Sequence, residues 1–239
     1  MATWVVGDIH GQFNTFQTLL KNPEIKDSDT IILIGDIIDR GPDSYKMLQW
    51  AMQNISPNGR YQMVCENHED NILRDCLRLQ NSWQNAPQAM DELPIDRLAC
   101  QYDFVSYMKE AGYETVGSVA EILQWFVDLQ LTKFVSTESG DYLIVHGWCA
   151  KETTREEILW GRDTDYYCRW LPDYEPVEGE TLVHGHTPTF IQNGYPEHAC
   201  VHFRAHSIDV DCGAAYPEYG GRLAAIRLDD RHIIYQNIV

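Results

Sequence analysis

The sequence predicts an α/β fold in which short, buried strands deliver polar side chains to one edge of a sheet. Residues 31–34 are four consecutive apolar residues that lead directly into Gly35 and Asp36. A short apolar run bounded by turn residues is typical of a strand that is covered on both faces. Open α/β sheets bind ligands beyond the carboxyl ends of such strands, so Asp36 is a candidate site residue. For Asp36 alone, capping of the following helix is an equally good interpretation.

A strand, a loop and a helix are predicted at the start of the chain. Residues 3–6 form a second short apolar run, and Asp8 and His10 follow it between two glycines. Glycine allows a sharp turn and a close approach of the backbone to a ligand. The apolar residues of segment 13–20 recur at helical spacing. Asp8 and His10 are therefore predicted to lie at the same kind of strand end as Asp36.

A third strand and a helical insertion are predicted after a second helix that begins at residue 44. Residues 61–65 have the character of a strand, and the polar segment 66–70 follows it immediately. From residue 71 to about residue 131 the pattern changes to amphipathic segments rich in Leu, Trp, Gln and Met. We interpret this region as an insertion that covers one edge of the site. No linker divides the chain, so residues 1–239 are predicted to be a single domain.

Strands return in the C-terminal half, and two of them end in histidine. Residues 142–147 contain a strand that ends at His146, and segment 181–188 contains one that delivers His184 and His186. His184 is interpreted as a structural residue. Three later segments alternate between apolar and polar residues and are predicted to be adjacent strands joined by tight turns: 207–213, 222–228 and 232–235.

Composition excludes several classes of partner. The formal net charge of −18 argues against nucleic acid or an anionic membrane, because both favour proteins rich in Lys and Arg.

Seven cysteines without a C-x-x-C pair are typical of free thiols in a reducing compartment. We find no signal-peptide pattern, and no apolar run approaches the ~20 residues of a membrane-spanning helix. A cytoplasmic location is expected.

Carboxylate, amide and imidazole groups follow the predicted strand ends, with no thiolate among them. The candidate ligands are Asp8, His10, Asp36, Asn67, His146 and His186. Six ligands exceed what one open catalytic ion uses, and a carboxylate can bridge two ions ~3.5–4 Å apart. The sequence therefore predicts two divalent metal ions. These ligand types favour manganese or iron, and zinc is also compatible with them.

Five motifs follow one another along the chain: Gly7-Asp-Ile-His-Gly11, Gly35-Asp-Ile-Ile-Asp-Arg-Gly41, Asn67-His-Glu69, His146-Gly147 and Gly185-His-Thr-Pro188. In this order they resemble the phosphoprotein phosphatase family of calcineurin-like metallophosphoesterases, and in particular its bacterial and phage-type protein serine/threonine phosphatases. The segments at Asp211 and Gly221 extend the likeness. The resemblance implies a calcineurin-like β-sandwich flanked by helices, with the helical insertion at about 71–131.

The resemblance also implies a role for each matching position. One ion would be held by Asp8, His10 and Asp36, and the other by Asp36, Asn67, His146 and His186. A hydroxide bridging the two ions would attack phosphorus in line. His68 would protonate the leaving group and Asp39 would orient it, unless Asp39 merely caps a helix. Arg40 and Arg162 would bind the phosphoryl oxygens, where a planar guanidinium fits well, unless Arg162 is a surface residue.

The implied function is hydrolysis of phosphoserine and phosphothreonine, with a phosphorylated protein or peptide as the partner. Because the same metal core serves several substrates, a hydrolase of dinucleoside polyphosphates or other small phosphoesters is the first alternative. The second is a catalytically weakened phosphoprotein-binding module, since Glu66 stands where the family has glycine. The sequence leaves the oligomeric state open.

Overall fold

A computed structural model describes residues 1–65, 67–82, 90–98, 103–147, 179–193 and 199–239. In these ranges the strands are β1 (Thr3–Val6), β2 (Thr30–Leu33), β3 (Tyr61–Met63), β4 (Thr132–Thr137), β5 (Gly140–Val145), β6 (Glu180–His184), β7 (His202–Phe203), β8 (Ser207–Asp209), β9 (Arg222–Arg227) and β10 (Ile233–Asn237). The α-helices are α1 (Phe13–Leu20), α2 (Ser44–Asn54), α3 (Asn67–Ser82), α4 (Phe104–Glu110), α5 (Ala120–Asp128) and α6 (Thr189–Asn193). The predicted α/β fold class is confirmed.

The first sheet carries the two strands that matter most for the site. Its order is β10-β9-β1-β2-β3, with β1, β2 and β3 parallel and β9 antiparallel to β1. In the register of the central pair, Val6 lies opposite Leu33. Because the two strands end at the same level, the loops that carry Asp8 and Asp36 leave the same edge of the sheet.

The second sheet has the order β4-β5-β6-β8-β7, and β5, β6 and β8 run parallel. The prediction that the last three segments are adjacent strands is wrong for the first of them. β9 pairs with β10, but β8 lies in the other sheet between β6 and β7. Alternation identifies a strand without identifying its neighbour, because pairing depends on residues far away in the chain.

Apolar side chains fill the space between the two sheets. Val5 and Ile32 from the first sheet and Ile144, Val183 and Ile208 from the second belong to one buried cluster. Val6 and Leu33, on the opposite face of the first sheet, belong instead to the cluster that contains buried side chains of α1, α2 and α5. Burying one such side chain fully contributes ~1.5–3 kcal/mol, so both faces of β1 and β2 are anchored.

The described part of segment 71–131 is largely helical, as expected, and includes most of α3 and all of α4 and α5. Strand β4, which the sequence analysis did not identify, follows it and pairs with β5 at the edge of its sheet. Its sequence Thr-Lys-Phe-Val-Ser-Thr has only two apolar residues, so the pattern gives a weak signal. Among the residues that the structure describes, no helix combines the length and apolar character that crossing a membrane requires.

Asp29 fixes the turn before β2 and ties it to the N-terminus. Its carboxylate accepts hydrogen bonds from the backbone N–H groups of Ala2 and Lys26, each at 2.9 Å, and from the indole N–H of Trp4 at 3.2 Å. Burial raises the pKa of Asp29, but these hydrogen bonds and the N-terminal charge outweigh it, so the net pKa is lowered. The ionised side chain therefore stabilises the fold.

We expect Asp29→Ala to lower the free energy of unfolding by ~1–3 kcal/mol, because buried donors lose their acceptor. The pKa of Asp29 is lower in the folded state, so its contribution is present above the unfolded pKa of ~3.9 and is lost as the pH falls through the folded value. Urea titrations should show the stability gap between wild type and Asp29→Asn narrowing below about pH 4. The exposed Asp27→Asn is the control. A pH-independent gap would contradict this role.

Candidate metal centre

The loops after β1 and β2 are hydrogen-bonded to each other and carry three candidate ligands. The backbone carbonyl of Asp36 accepts hydrogen bonds from the N–H groups of Ile9, at 3.0 Å, and His10, at 2.7 Å. A Cβ atom on Gly41 would lie 2.0 Å from the carbonyl oxygen of His10, so only glycine permits this approach. Asp8, His10 and Asp36 are all buried at this edge.

Two histidines have their tautomers set by backbone carbonyls. The Nδ1 atom of His10 lies 3.1 Å from the carbonyl of Ile38, and Nδ1 of His146 lies 3.1 Å from that of Ile34. A carbonyl only accepts, so Nδ1 must be the donor, and Nε2 of each neutral ring presents a lone pair. Burial lowers the pKa of His146 to about 3, which keeps the ring neutral at pH 7.

Asp36 lies at the centre of the site and faces these lone pairs. Its Oδ2 is 3.2 Å from Nε2 of His10, and its Oδ1 is 3.6 Å from Nε2 of His146. Two groups of side chains have ligand atoms within 4.8 Å of one another: His10, Asp36 and His68, and Asp36, His146 and His186. Asp36 belongs to both groups and so occupies the position expected of a bridging carboxylate.

Asp8 contacts the backbone of His186, which belongs to the second of these groups. Its Oδ2 accepts the backbone N–H of His186 at 3.0 Å. Its Oδ1 is buried and has no hydrogen-bond partner among the described residues. A buried carboxylate oxygen without a donor, together with converging imidazole acceptors, fits divalent cations.

Several buried carboxylates lie close together at the candidate metal centre. Burial raises the pKa of Asp8 well above its usual range, and the negative charges of Asp211 and Asp36 raise it further. Burial also raises the pKa of Asp211 to about 7, even though its carboxylate accepts the N–H of Gly213 at 2.8 Å. Arg40 supplies positive charge, and its Nη1 donates to Nε2 of His10 at 2.8 Å. Bound cations would therefore relieve a real electrostatic cost.

His68 and Asp39 form a close pair at the edge of the centre. The Nδ1 atom of His68 lies 2.7 Å from Oδ2 of Asp39, and both side chains are buried. Nε2 of the same ring is 3.9 Å from Oδ2 of Asp36, beyond hydrogen-bonding distance. Burial lowers the pKa of His68, but the charge of Asp36 and the hydrogen bond to Asp39 outweigh it, so the pKa is raised.

Backbone strain is concentrated in the same loops. Five non-glycine residues of the site have positive φ: His10 (46°), Asp36 (44°), Asp39 (65°), Arg40 (67°) and His186 (75°). Each costs ~1–3 kcal/mol, and such residues cluster where surrounding structure holds functional groups in place. The sequence analysis missed this feature, because these residue types carry no marker of left-handed geometry comparable to glycine.

The structure brings together most of the side chains that the sequence predicted: Asp8, His10, Asp36, Asp39, Arg40, His68, His146 and His186. Asn67 is the first residue of α3 and directly precedes His68. The predictions for Arg162 and Glu66 fall outside the described residues. His184 is buried, with Nδ1 3.4 Å from the carbonyl of Gly185, and burial lowers its pKa to about 4.

Comparison with known proteins identifies relatives along nearly the whole chain. The sequence profile of the calcineurin-like phosphoesterase family matches residues 1–190. A protein of Chromobacterium violaceum named symmetrical bis(5'-nucleosyl)-tetraphosphatase is 38% identical, and the match covers 98% of this chain and 94% of that protein. A protein of the same name from Photorhabdus laumondii is 38% identical over 74 residues, which are 30% of this chain and 26% of that protein.

Solved structures show the same fold at low sequence identity. One, provisionally described as a diadenosine tetraphosphatase, has a TM-score of 0.61 at 17% identity and covers 98% of this chain and 91% of its own. A protein serine/threonine phosphatase from Saccharomyces cerevisiae has a TM-score of 0.59 at 16% identity, with coverage of 99% and 79%. These two likenesses establish the fold. They do not distinguish a dinucleoside polyphosphate from a phosphorylated protein as the substrate.

The prediction of a protein phosphatase with a phosphorylated protein as its partner is wrong. The relative that matches almost end to end is named for a dinucleoside tetraphosphate, which was the first alternative. The error has a physical origin, since the motifs that carry the resemblance supply groups suited to metal and phosphate. Those groups recognise a phosphate and leave the rest of the substrate unspecified.

Asp36→Asn should weaken binding of both metal ions together, because the substitution removes a charge that both groups share. We expect the loss of affinity to exceed the ~10–100-fold that removing an outer-shell partner costs. Elemental analysis after dialysis against Mn²⁺ measures this, with the exposed Asp96→Asn as the control. Two ions per chain in an inactive Asp36→Asn protein would contradict a bridging role.

Proposed function

Because this chain belongs to the calcineurin-like phosphoesterase family, we propose that it hydrolyses dinucleoside polyphosphates symmetrically. The observation that carries the proposal is the match to a relative of that name over 98% of the chain at 38% identity. In the reaction, water adds across the central P–O–P linkage of a dinucleoside tetraphosphate. One phosphorus gains the oxygen of water, the other keeps the bridging oxygen, and two nucleoside diphosphates are released.

We assign the metal ligands as the sequence motifs indicate. One cation would be held by Asp8, His10 and Asp36, and the other by Asp36, Asn67, His146 and His186. The orphaned Oδ1 of Asp8 and the lone pairs of His10 and His146 support this assignment. Manganese is the favoured ion, and iron and zinc are compatible with the ligands. When bound, two divalent cations lower the pKa of a water molecule and neutralise phosphate charge.

The remaining side chains orient the substrate and move a proton. Arg40 and Arg162 bind the oxygens of the phosphate chain, and the contact of Arg40 with His10 supports a position at the metal edge. His68 protonates the departing diphosphate from Nε2. Asp39 accepts a hydrogen bond from Nδ1 of that ring and so holds it in the orientation that presents Nε2 to the site.

The proposal is tested with the Mn²⁺-loaded protein and diadenosine tetraphosphate. Ion-exchange chromatography should detect ADP as the sole nucleotide product, because the central linkage is cleaved. A phosphoserine peptide assayed in parallel should be turned over far more slowly. Asp36→Asn is the inactive control. Formation of AMP and ATP, or a preference for the phosphopeptide, would rule out the proposed activity.

Replacement of His68 should reduce turnover without removing metal. We expect His68→Asn to lower kcat for diadenosine tetraphosphate by about 10²-fold, the lower end of the range for a positioned acid. The effect is small within that range because a diphosphate leaves more readily than an alkoxide does. Steady-state kinetics and metal analysis check both points. A variant that loses its metal along with its activity would instead make His68 a ligand, as its place beside His10 and Asp36 allows.

A further inference from the structure

Three aromatic side chains cluster beside the candidate metal centre. The ring centroids of Phe190 and Tyr216 are 6.1 Å apart, those of Phe190 and Tyr219 are 6.3 Å apart, and those of the two tyrosines are 6.4 Å apart. The guanidinium carbon of Arg40 lies 5.8 Å from the ring centroid of Tyr216, within cation–π range. Because Arg40 also contacts His10, the cluster is continuous with the centre.

The backbone around the two tyrosines is tightly constrained. The N–H of Tyr216 donates to the carbonyl of Gly213 at 2.8 Å, and the N–H groups of Tyr219 and Gly221 donate to the carbonyl of Tyr216, each at 3.1 Å. A Cβ atom on Gly221 would lie 1.9 Å from the carbonyl oxygen of Gly213. The short 3-10 helix Pro217–Tyr219 also has a proline at its start. The backbone that carries the two tyrosines is therefore ordered in advance, which reduces the entropic cost of binding.

Tyr219 is not buried as a core residue would be. It is 52% exposed, whereas Phe190 behind it is only 8% exposed. The planes of Tyr216 and Tyr219 are inclined by 53°, so neither ring covers the face of the other. A satellite hydrophobic cluster would explain Phe190, but it does not explain why the ring of Tyr219 is left half exposed beside Tyr216, the residue that contacts Arg40.

We propose that Tyr219 is the surface on which one nucleobase of the substrate stacks, with Tyr216 holding it in position relative to Arg40. The inference rests on the proposed function and extends it to substrate selection. A dinucleoside polyphosphate carries a flat aromatic base at each end, and a base stacks well on an aromatic side chain. A phosphoserine side chain carries no such group. Tyr219 would thus contribute to the choice of substrate that the metal ligands leave open.

Charge makes such a contact useful in this protein. The formal net charge is −18, and the site itself contains the buried carboxylates of Asp8, Asp36 and Asp211. A polyphosphate therefore approaches a protein whose net charge has its own sign, so short-range contacts matter more for its affinity than long-range attraction does. Stacking depends on apolar contact area and ring polarisability, so it contributes affinity without requiring a basic patch.

The test compares two probes that differ by the nucleoside. Binding of ADP and of pyrophosphate to the Mn²⁺-loaded protein is measured by titration calorimetry. Tyr219→Ala should raise the Kd of ADP at least about five-fold, the lower limit of what base stacking contributes, and leave the Kd of pyrophosphate unchanged. Tyr219→Phe should bind ADP as wild type does. Tyr219→Leu, which keeps the apolar volume without the aromatic face, should lose ADP affinity.

Phe203→Ala is the matched control, because Phe203 is also an exposed aromatic residue, at 41%, and lies in β7. It should leave the affinities for both probes unchanged. Equal weakening of ADP and pyrophosphate in Tyr219→Ala, or no weakening of either, would overturn the stacking role even if wild type hydrolyses diadenosine tetraphosphate. Tyr219-dependent ADP binding in a wild-type protein that fails to hydrolyse that substrate would overturn the proposed function alone.

Discussion

The buried charge of Asp36 is the constraint on which the rest of the site depends. A carboxylate held away from water is costly unless donors or cations surround it, and here Asp8 and Asp211 add further negative charge. The guanidinium of Arg40 supplies positive charge at this edge, but the Nε2 lone pairs of His10 and His146 face Asp36, and a lone pair does not stabilise a carboxylate. Bound divalent cations would compensate for the remaining negative charge.

Close packing of backbone against backbone holds that arrangement together. Side chains are excluded at Gly41 by the carbonyl of His10, and at Gly185 by Oδ1 of Asp8, which would lie 2.1 Å from a Cβ atom. The candidate ligands Asp36 and His186 are themselves held at positive φ. Apolar clusters on both faces of β1 and β2 supply the stability that offsets this strain. Ile9, between Asp8 and His10, and Ile37, next to Asp36, are buried in one of these clusters, so the core and the site meet in the same loops.

Chemistry and substrate choice are encoded in different parts of the chain. Two solved structures, one described provisionally as a diadenosine tetraphosphatase and one a protein serine/threonine phosphatase, share this fold with TM-scores of 0.61 and 0.59 to this chain, so the fold does not fix the substrate. Selection must come from groups that contact the substrate beyond its phosphates. The loop that carries Tyr216 and Tyr219 is the place we propose for such a contact; it follows Asp211 and returns to the first sheet through β9.

The sequence alone determined the strands that carry the site and the polar residues beyond their ends, because strand and turn signals are local and Asp8, Asp36 and His146 each lie within three residues of a strand end. Only the tertiary structure decided that β8 pairs with β6 and that β4 forms a sheet edge. The same is true of the positive φ angles at the site and of the contact between Arg40 and Tyr216. Each of these depends on groups that lie far apart in the chain and meet only when both sheets are packed, so no local pattern could reveal them.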